Sequence, residues 1–200
     1  MHVRAIAIIP ARYASTRLPG KALASLDGRP MIRHVAERTC QARTVTRVIV
    51  ATDDERIANA VAGSGAEVVM TRADHPTGTD RLAEVAERLD ADVVVNVQGD
   101  LPLLDPSMVD RLVERMQGDP TLPMATLAAP IYDEEEWRSP HVVKVVCDTQ
   151  QRALYFSRSP VPHHREGVRP GVPFGWRHIG MYAYRREVLL QLAALPPTPL

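Results

Sequence analysis

The sequence predicts an α/β fold with a mostly parallel sheet and a smaller β-rich lobe towards the C-terminus. Three observations lead to this prediction. Short apolar runs of strand length recur in the first half of the chain, and segments with apolar residues three or four positions apart separate them. After residue 120 the pattern changes to strand candidates joined by irregular segments. The length of 200 residues fits one ordinary domain with at most a second small lobe.

Four strands are predicted in the first half of the chain. The run from Val3 to Ile9 is almost entirely apolar, as expected for a strand that is covered on both faces. The runs from Arg47 to Thr52 and from Asp92 to Val97 have the same character, and Glu67 to Met70 is a shorter candidate.

Helix start signals lie between and after these strands. Asp105 and Pro106 are typical of an N-cap and the first helical position, and an apolar stripe follows them. A second helix is predicted to start at Gly78. A third is predicted after Asp53, where consecutive acidic residues favour the positive end of a helix. Strands and helices therefore alternate, which is typical of a parallel sheet.

The last third of the chain predicts strands around one long loop. The strand candidates run from Pro123 to Pro130, Val142 to Asp148, Ala153 to Ser157 and His178 to Tyr184. Ser159 to Gly175 is too rich in proline and glycine for regular structure, so we expect a loop there.

Composition excludes several classes of protein. The 24 basic and 24 acidic side chains cancel, which argues against a polybasic nucleic-acid-binding protein. No apolar run is long enough to cross a membrane, and the N-terminus lacks the features of a signal peptide. Cys40 and Cys147 lie far apart without metal-ligand spacing, which favours two reduced thiols. We therefore expect a cytoplasmic protein that binds neither nucleic acid nor membrane.

The loop after the first strand carries three cations within ten residues. Arg12, Arg17 and Lys21 are these cations, and Ser15 lies between them. Lysine occurs only twice in the whole chain. Because ligands of open α/β sheets bind beyond the carboxyl ends of the strands, this loop is placed to bind a polyphosphate. The alternative is a solvated surface loop, and the sequence is not that of a Walker A motif.

A second motif ends the strand that begins at Asp92. Asp100 follows Gly99 at its end and places a carboxylate at the same edge of the sheet. Mg²⁺ is commonly held by one or two protein carboxylates together with substrate phosphates. The alternative is an aspartate that only caps a turn.

Seven segments closely resemble the 3-deoxy-manno-octulosonate cytidylyltransferase family, also called the CMP-Kdo synthetases. They occur in order, and the resemblance extends from residue 5 to the last residue. The segments are IIPARYASTRLPGKAL, IVATDD, TRADHPTGTDRLAEV, VVNVQGD, VVKVV, ALYFSRSPVP and HIGMYAYRR. The resemblance implies a GT-A-like, Rossmann-related three-layer fold. It also implies Mg²⁺-dependent transfer of CMP from CTP to 3-deoxy-D-manno-octulosonate (Kdo), with release of pyrophosphate, in lipopolysaccharide synthesis by a cytoplasmic homodimer.

The resemblance also implies an organisation of the chain. Residues 1–200 form a single nucleotidyltransferase domain, with a nucleotide-binding core over 1–130, a sugar-binding and oligomer lobe over 131–184, and the start of a C-terminal part over 185–200. Family members continue past the final PPTPL and carry a second metal-binding aspartate there. We therefore expect this chain to bind CTP weakly and to form little product.

Site residues follow from matching the family's motifs to this sequence. The implied catalytic residues are Arg12, Arg17, Lys21 and Asp100, and Asp100 is the implied Mg²⁺ ligand. The implied nucleotide-binding residues are Pro10, Ala11, Arg12, Ser15, Arg17, Lys21, Arg72, Gly78, Thr79 and Gln98. The implied sugar-binding residues are Arg81, Tyr155, Arg158, His178 and Tyr182.

This sequence departs from the family pattern at Leu101, where many family members have an acidic residue.

Two alternatives to this function stay open. The sequence also allows a cytidylyltransferase for a related 2-keto sugar acid, such as 8-amino-Kdo or a sialic-acid-like sugar. A different class is a truncated, inactive nucleotide-binding protein.

Several further side chains have a structural interpretation beside a functional one. His75 is a candidate substrate contact, although a lone histidine more often has a structural role. His163 and His164 are expected in an exposed loop without a third metal ligand. Trp137 and Trp176, in segments expected to be irregular, are candidates for an oligomer contact.

Overall fold

The computed structural model describes residues 3–14 and 19–196 and divides the chain into two compact units. The first unit comprises Met1–Ala125 and Met181–Leu200, and the second comprises Thr126–Gly180. Ser15 and Arg17 lie outside the described residues. No helix in the part of the chain that the structure describes is long and apolar enough to cross a membrane.

Regular elements alternate through the first unit and become mostly strands in the second. The strands are β1 (Ala5–Ala11), β2 (Ser25–Leu26), β3 (Arg29–Pro30), β4 (Arg47–Thr52), β5 (Glu67–Met70), β6 (Val93–Asn96), β7 (Met124–Ile131), β8 (Lys144–Cys147), β9 (Ala153–Ser157) and β10 (Gly175–Arg185). The helices are α1 (Met31–Thr39), α2 (Glu55–Ala60), α3 (Gly78–Glu87), α4 (Pro106–Gly118), α5 (Glu134–Arg138) and α6 (Arg186–Ala193), with a 3₁₀ helix at Lys21–Leu23.

The first unit is built on a parallel sheet in the order β5-β4-β1-β6. Residues 182–185 of β10 add an antiparallel strand beside β6. Ile6 and Ile8 of β1 belong to one buried cluster with Leu82 of α3 and Leu189 of α6. Helices α1 and α4 also pack against the sheet and against each other. The predicted α/β fold with a mostly parallel sheet is confirmed.

The helix starts follow from the capping residues. Asp105 accepts a hydrogen bond from the backbone N–H of Ser107 at the start of α4, and Asp54 caps α2 in the same way. Thr77 and Asp80 form a reciprocal capping box at the start of α3. All three helices begin where their start signals predict.

β1 extends two residues further than predicted, to Ala11, although it contains Pro10. β6 pairs with β1 only as far as Ile8 opposite Asn96. The backbone polar atoms of Pro10 point to the same side of β1 as those of Ile8, towards β6, but at Pro10 the ladder with β6 has ended. The missing N–H of proline thus costs no strand pairing.

The second unit is an antiparallel arrangement around β8. Lys144 of β8 pairs with Ser157 of β9, and Val145 pairs with Trp176 of β10. The segment 159–174 contains no helix or strand, as its proline and glycine content predicts. Its residue Phe174 donates a backbone hydrogen bond to Ile131 of β7 over 2.7 Å.

Three expectations, on Trp137, Trp176 and His164, are wrong. Trp137 lies in α5 rather than in an irregular segment and is 5% exposed, so it is a core residue of the second unit. Its ring packs against Phe174 and His164. His164 is half-buried and hydrogen-bonds the carbonyl of Phe174 through Nε2 over 2.6 Å, so only His163 of this pair is fully exposed. Trp176 is exposed, but on strand β10.

Candidate active site

A cleft of about 250 Å³ opens in the first unit where β1 and β6 end. Its walls come from four places in the sequence: the end of β1 and the residues after it, the 3₁₀ helix with the start of α1, the segment entering α3, and the residues after β6. The lining residues are Pro10, Ala11, Arg12, Lys21, Ala22, Met31, His75, Thr77, Gly78, Arg81, Gln98, Gly99 and Asp100. Eight of these thirteen are site residues that the resemblance implies.

Lys21 and Asp100 meet in this cleft. Lys21 Nζ donates to Asp100 Oδ2 over 2.6 Å, although 79 positions separate the two residues in the sequence. They meet because adjacent parallel strands end at the same edge of the sheet. Both side chains are nearly half exposed, so each can exchange its partner for a ligand group. The cation and the carboxylate that the sequence singles out are therefore in direct contact.

A close approach of two backbone segments gives Asp100 its position. A Cβ at Gly99 would lie 3.1 Å from the carbonyl oxygen of Pro10 and 3.4 Å from Ile32 Cδ1. A side chain at this position would push the neighbouring atoms away by a few tenths of an ångström, so glycine favours this close approach of the chain after β6 to the end of β1. Gln98, the residue before it, donates through Nε2 to Asn96 Oδ1 over 3.2 Å.

The N-terminus of α3 forms another wall. Thr77 and Gly78 line the cleft, and the capping box uses the backbone N–H groups of Thr77 and Asp80. Among the described residues, the N–H of Gly78 has no hydrogen-bond acceptor. A helix N-terminus with a free N–H favours an anionic ligand, and here it adds to the charge of the lysine.

Arg81 places a buried guanidinium at the cleft. This residue is 3% exposed, its Nη1 lies 3.3 Å from Asp53 Oδ1, and it also donates to Thr71 Oγ1. Asp53 follows β4, so a third strand end contributes to the same edge. Asp53 Oδ1 is buried and has no hydrogen bond of good geometry, which leaves its ion pair with Arg81 as its main stabilisation.

His75 and Glu84 form a pair that sequence reasoning did not identify. His75 lines the cleft, and its Nε2 lies 2.5 Å from Glu84 Oε2. The same oxygen accepts the backbone N–H of Arg72 over 3.1 Å. Burial raises the pKa of Glu84, but the hydrogen bonds from His75 and Arg72 outweigh it, so the pKa lies below its usual range. Through these hydrogen bonds, the ionised carboxylate of Glu84 holds the segment before α3 in place.

The loop after β1 is held by a contact that is distant in sequence. The guanidinium carbon of Arg56 lies 3.5 Å from the ring centroid of Tyr13, and Arg56 also pairs with Asp54 over 2.6 Å. The hydrogen bond from Arg56 to Asp54 raises the pKa of Arg56. Tyr13 in turn accepts a backbone hydrogen bond from Gly20 over 2.9 Å, which closes the loop. Arg56 is exposed, as expected of a helix surface, but it has this second role.

Of the remaining candidate nucleotide-binding residues, some line the cleft and others do not. Arg12 lines the cleft and has no ion pair with a described residue. Arg72 does not line the cleft, and its side chain pairs with exposed Asp74 over 3.3 Å. Thr79 lies in the first turn of α3 but is not among the lining residues.

The predicted sugar-binding residues are divided between the two units. Arg81 and Tyr182 belong to the first unit, where Tyr182 lies on β10 beside Tyr184 with ring centroids 5.9 Å apart. Burial raises the pKa of Tyr182. Tyr182 also packs against the buried cluster of β1 and α3, so core packing accounts for part of its role.

The other three sugar-binding candidates lie in the second unit. Tyr155 on β9 is 61% exposed. On β10, Nε2 of His178 lies 2.9 Å from Oγ1 of Thr126, and the His178 ring centroid lies 4.7 Å from that of Phe156. Burial lowers the pKa of His178. Arg158 is exposed and donates through Nη1 to the carbonyl of Pro140 over 2.9 Å. This unit therefore offers a neutral histidine and an anchored arginine.

The donor set of the cleft fits Mg²⁺ only together with phosphate oxygens. No group of three or more His, Cys, Asp or Glu side chains that could hold a metal occurs within residues 3–14 and 19–196. Asp100 alone offers a carboxylate among the residues that line the cleft. Mg²⁺ is commonly held by one or two carboxylates plus substrate phosphates, so Asp100 and a triphosphate together form an adequate ligand set.

The fold and the cleft define a class of protein. A parallel α/β sheet with cations, a helix N-terminus and one carboxylate at its carboxyl edge is typical of a nucleotide-binding enzyme. The model of the cytidylyltransferase family matches residues 6–200, and the chain belongs to this family.

Curated relatives specify the family further. A 3-deoxy-manno-octulosonate cytidylyltransferase of Syntrophotalea carbinolica is 55% identical over 97% of this chain and 80% of its own length. The protein of the same name from Geobacter metallireducens is 54% identical over the same shares.

Solved structures agree with this family. A CMP:2-keto-3-deoxy-manno-octonic acid synthetase in complex with CTP superposes with a TM-score of 0.89 at 47% identity, over 98% of this chain and 80% of that one. A 4-diphosphocytidyl-2C-methyl-D-erythritol synthase from Anaerococcus prevotii has a TM-score of 0.62 at 13% identity, over 100% of this chain and 81% of that one, and shares the fold.

Proposed function

We propose that this chain transfers CMP from CTP to the anomeric hydroxyl of Kdo and releases pyrophosphate. Relatives more than half identical over nearly the whole chain carry this activity in their names. The single structural observation that carries the proposal is the contact between Lys21 and Asp100 in a cleft at the ends of β1 and β6. It supports a site in which one triphosphate reaches both a phosphate-binding cation and a metal-binding carboxylate.

The triphosphate is bound by charge and by backbone N–H groups. Lys21 and Arg12 interact with the phosphates, and the N–H of Gly78 at the start of α3 adds a third donor. Arg17 belongs to the same loop and contributes a further cation. These groups neutralise the negative charge that grows on the departing pyrophosphate. Arg81, paired with Asp53, forms one wall of the site.

Asp100 is the residue that would hold Mg²⁺. When bound, Mg²⁺ supplies charge neutralisation to the phosphate oxygens and lowers the pKa of the attacking hydroxyl. Lys21 leaves the carboxylate for the phosphates as CTP binds, which exposes both oxygens of Asp100. The contact between Lys21 and Asp100 thus keeps the two groups in place before substrate arrives.

The transfer itself is an in-line displacement. The anomeric oxygen of Kdo forms a bond to the α-phosphorus, the bond from that phosphorus to the bridging oxygen breaks, and the hydroxyl proton is released. Such reactions depend on positioning and charge more than on covalent catalysis. Sugar binding is assigned to Arg81, Tyr155, Arg158, His178 and Tyr182, with Arg158 providing the planar donor pair that suits the carboxylate of a sugar acid.

A related 2-keto sugar acid is the second candidate substrate. An inactive nucleotide-binding protein is the third candidate. Such a protein binds CTP in the cleft but does not transfer CMP to a sugar.

We also propose that the enzyme is a homodimer. β9 is an edge strand, with β8 on one side and no described strand on the other. It exposes Leu154, Tyr155 and Phe156 by 67%, 61% and 42%. An apolar edge strand is a template for pairing with another chain, and a second copy provides an identical edge. Substitution Leu154→Lys should shift the molecular mass by light scattering to that of a monomer, whereas Leu103→Lys, at an exposed site in the first unit, should not.

The cellular role follows from the substrates. A CTP-dependent synthesis of CMP-Kdo belongs in the cytoplasm, where nucleoside triphosphates are formed, and supplies an activated sugar for lipopolysaccharide.

An assay of pyrophosphate release with CTP and a panel of 2-keto sugar acids tests the function. Release with Kdo supports it, release only with another acid selects the second candidate, and CTP binding without release selects the third.

A further inference from the structure

Lys144 is a buried lysine that the reaction described above does not use. It is one of only two lysines in the chain, it lies on β8, and it is 0% exposed. Among the described residues it has no acidic partner. Its Nζ donates instead to three backbone carbonyls, those of Ser139 over 2.9 Å, Val142 over 2.7 Å and Arg158 over 2.6 Å.

The three carbonyls join two segments of the second unit. Two belong to the turn between α5 and β8, and the third belongs to the residue after β9. The same turn also receives the side chain of Arg158, because its Nη1 donates to Pro140 over 2.9 Å. The carbonyls of this turn are therefore shared between Lys144 and Arg158. The ammonium fixes the main chain of Arg158, and the turn fixes its guanidinium.

An apolar side chain would be the simpler occupant of this buried position. Burying an ammonium without a counter-charge is costly, and here burial lowers the pKa of Lys144. The three carbonyl dipoles offset this cost, and removing the ammonium would leave all three without this donor. The lysine fixes the position of the turn relative to Arg158, because no apolar side chain can donate hydrogen bonds to the carbonyls of both.

We propose that Lys144 is a positioning residue that aims the guanidinium of Arg158 at the carboxylate of the sugar acid. The inference rests on the proposed function, in which Arg158 binds that carboxylate. A small displacement of a binding group can reduce a rate strongly, and here the loss falls on the sugar and not on the nucleotide.

The test uses Lys144→Met and Lys144→Gln in the full chain. Lys144→Met keeps nearly the length of the side chain and removes every donor, and Lys144→Gln keeps two N–H donors without charge. We expect Lys144→Met to raise the KM for Kdo by about tenfold to a hundredfold, with little change in kcat or in the KM for CTP. Lys144→Gln should fall between Lys144→Met and the unaltered chain.

A matched control separates positioning from loss of stability. Ile131→Ala also truncates a fully buried side chain of the second unit, and the described hydrogen bonds to the turn and to Arg158 do not involve it. It should lower the melting temperature while leaving the KM for Kdo unchanged. An equal rise of this KM in Ile131→Ala, or a failure of both Lys144 variants to fold, would overturn the inference in favour of a structural role.

Arg158→Ala distinguishes the inference from the proposed function. We expect it to raise the KM for Kdo, and the double variant with Lys144→Met should be no worse than Arg158→Ala alone. Additive effects in the double variant would overturn the inference and leave the function intact. If Arg158→Ala leaves the KM for Kdo unchanged, the assigned sugar contact is wrong, and the inference falls with it.

Discussion

Substitution Asp100→Asn separates the contribution of this carboxylate to stability from its contribution to activity. The change removes one negative charge and keeps the shape of the side chain. The side chains of Lys21 and Asp100 are 45% and 47% exposed, so their ion pair is a surface interaction worth about 0–1 kcal/mol. For a chain of this size that corresponds to a change in melting temperature of at most about 2–4 °C.

The expected effect on turnover is much larger. Removing one preorganised group that stabilises charge in a transition state lowers kcat by about 10²–10³. Because asparagine has nearly the same shape as aspartate and fits the turn after Gly99, the loss should appear without unfolding. Pyrophosphate release at saturating CTP and Kdo with excess Mg²⁺ measures kcat, and a thermal melt of the same preparation measures stability.

Asp90→Asn is the matched control for this experiment. Asp90 is also an exposed aspartate paired with a cation, Arg4, but it lies outside the cleft. Its substitution should leave kcat unchanged. Unchanged turnover in Asp100→Asn would refute the reasoning and make Asp100 a turn residue. An equal loss in both variants would show that general electrostatics, and not a metal-binding carboxylate, controls the rate.

Four other outcomes are expected. CTP should bind more tightly than ATP or GTP by calorimetry, and equal affinities would contradict a cytidine site. Lys21→Ala should weaken CTP far more than CMP, because its partners are the outer phosphates; equal losses would place Lys21 elsewhere. Gly99→Ala should lower kcat while the fold persists, since the new Cβ meets the Pro10 carbonyl, and a normal kcat would exclude that constraint. Burial raises the pKa of Asp110, but hydrogen bonds from Thr44 and Arg43 lower it below its usual range. The stability these bonds provide is present above the unfolded pKa of about 3.9 and is lost as the pH falls through the lower folded pKa. In urea unfolding, Asp110→Asn should therefore cost about 1.5–3 kcal/mol near neutral pH and less in acid, and a constant difference at both pH values would contradict this origin.

Local sequence signals were sufficient for most of the first unit. The apolar runs of β4 and the start of α3 depend on residues a few positions apart, so the sequence contains all that decides them. The meeting of Lys21 with Asp100 could also be anticipated, because the rule that parallel strands end at one edge converts two local motifs into one site.

Helices α1, α5 and α6 were missed, and of these only α5 begins at a side-chain cap, Asp133. α1 starts at Pro30 as N-cap, which offers no side-chain acceptor. Its buried residues Met31, Ile32, Val35 and Ala36 nevertheless repeat at helical spacing, and that pattern could have identified the helix.

Contacts between distant side chains could not be predicted. The stacking of Arg56 on Tyr13 and the pairing of His75 with Glu84 depend on which elements pack together. The burial of Trp137 has the same origin, because its partner Phe174 lies at the far end of the loop. No single-sequence pattern marks such pairs, and the structure is needed to find them.

The most direct test of the function measures the products formed from CTP and Kdo. The chain is incubated with both substrates and Mg²⁺, and pyrophosphate and the nucleotide sugar are quantified over time. The account predicts one pyrophosphate for each CMP-Kdo, formation that depends on CTP and on Kdo, and loss of both products in Asp100→Asn. Product formation is expected to be slow, so release of pyrophosphate without Kdo, or no detectable CMP-Kdo after prolonged incubation, would contradict it.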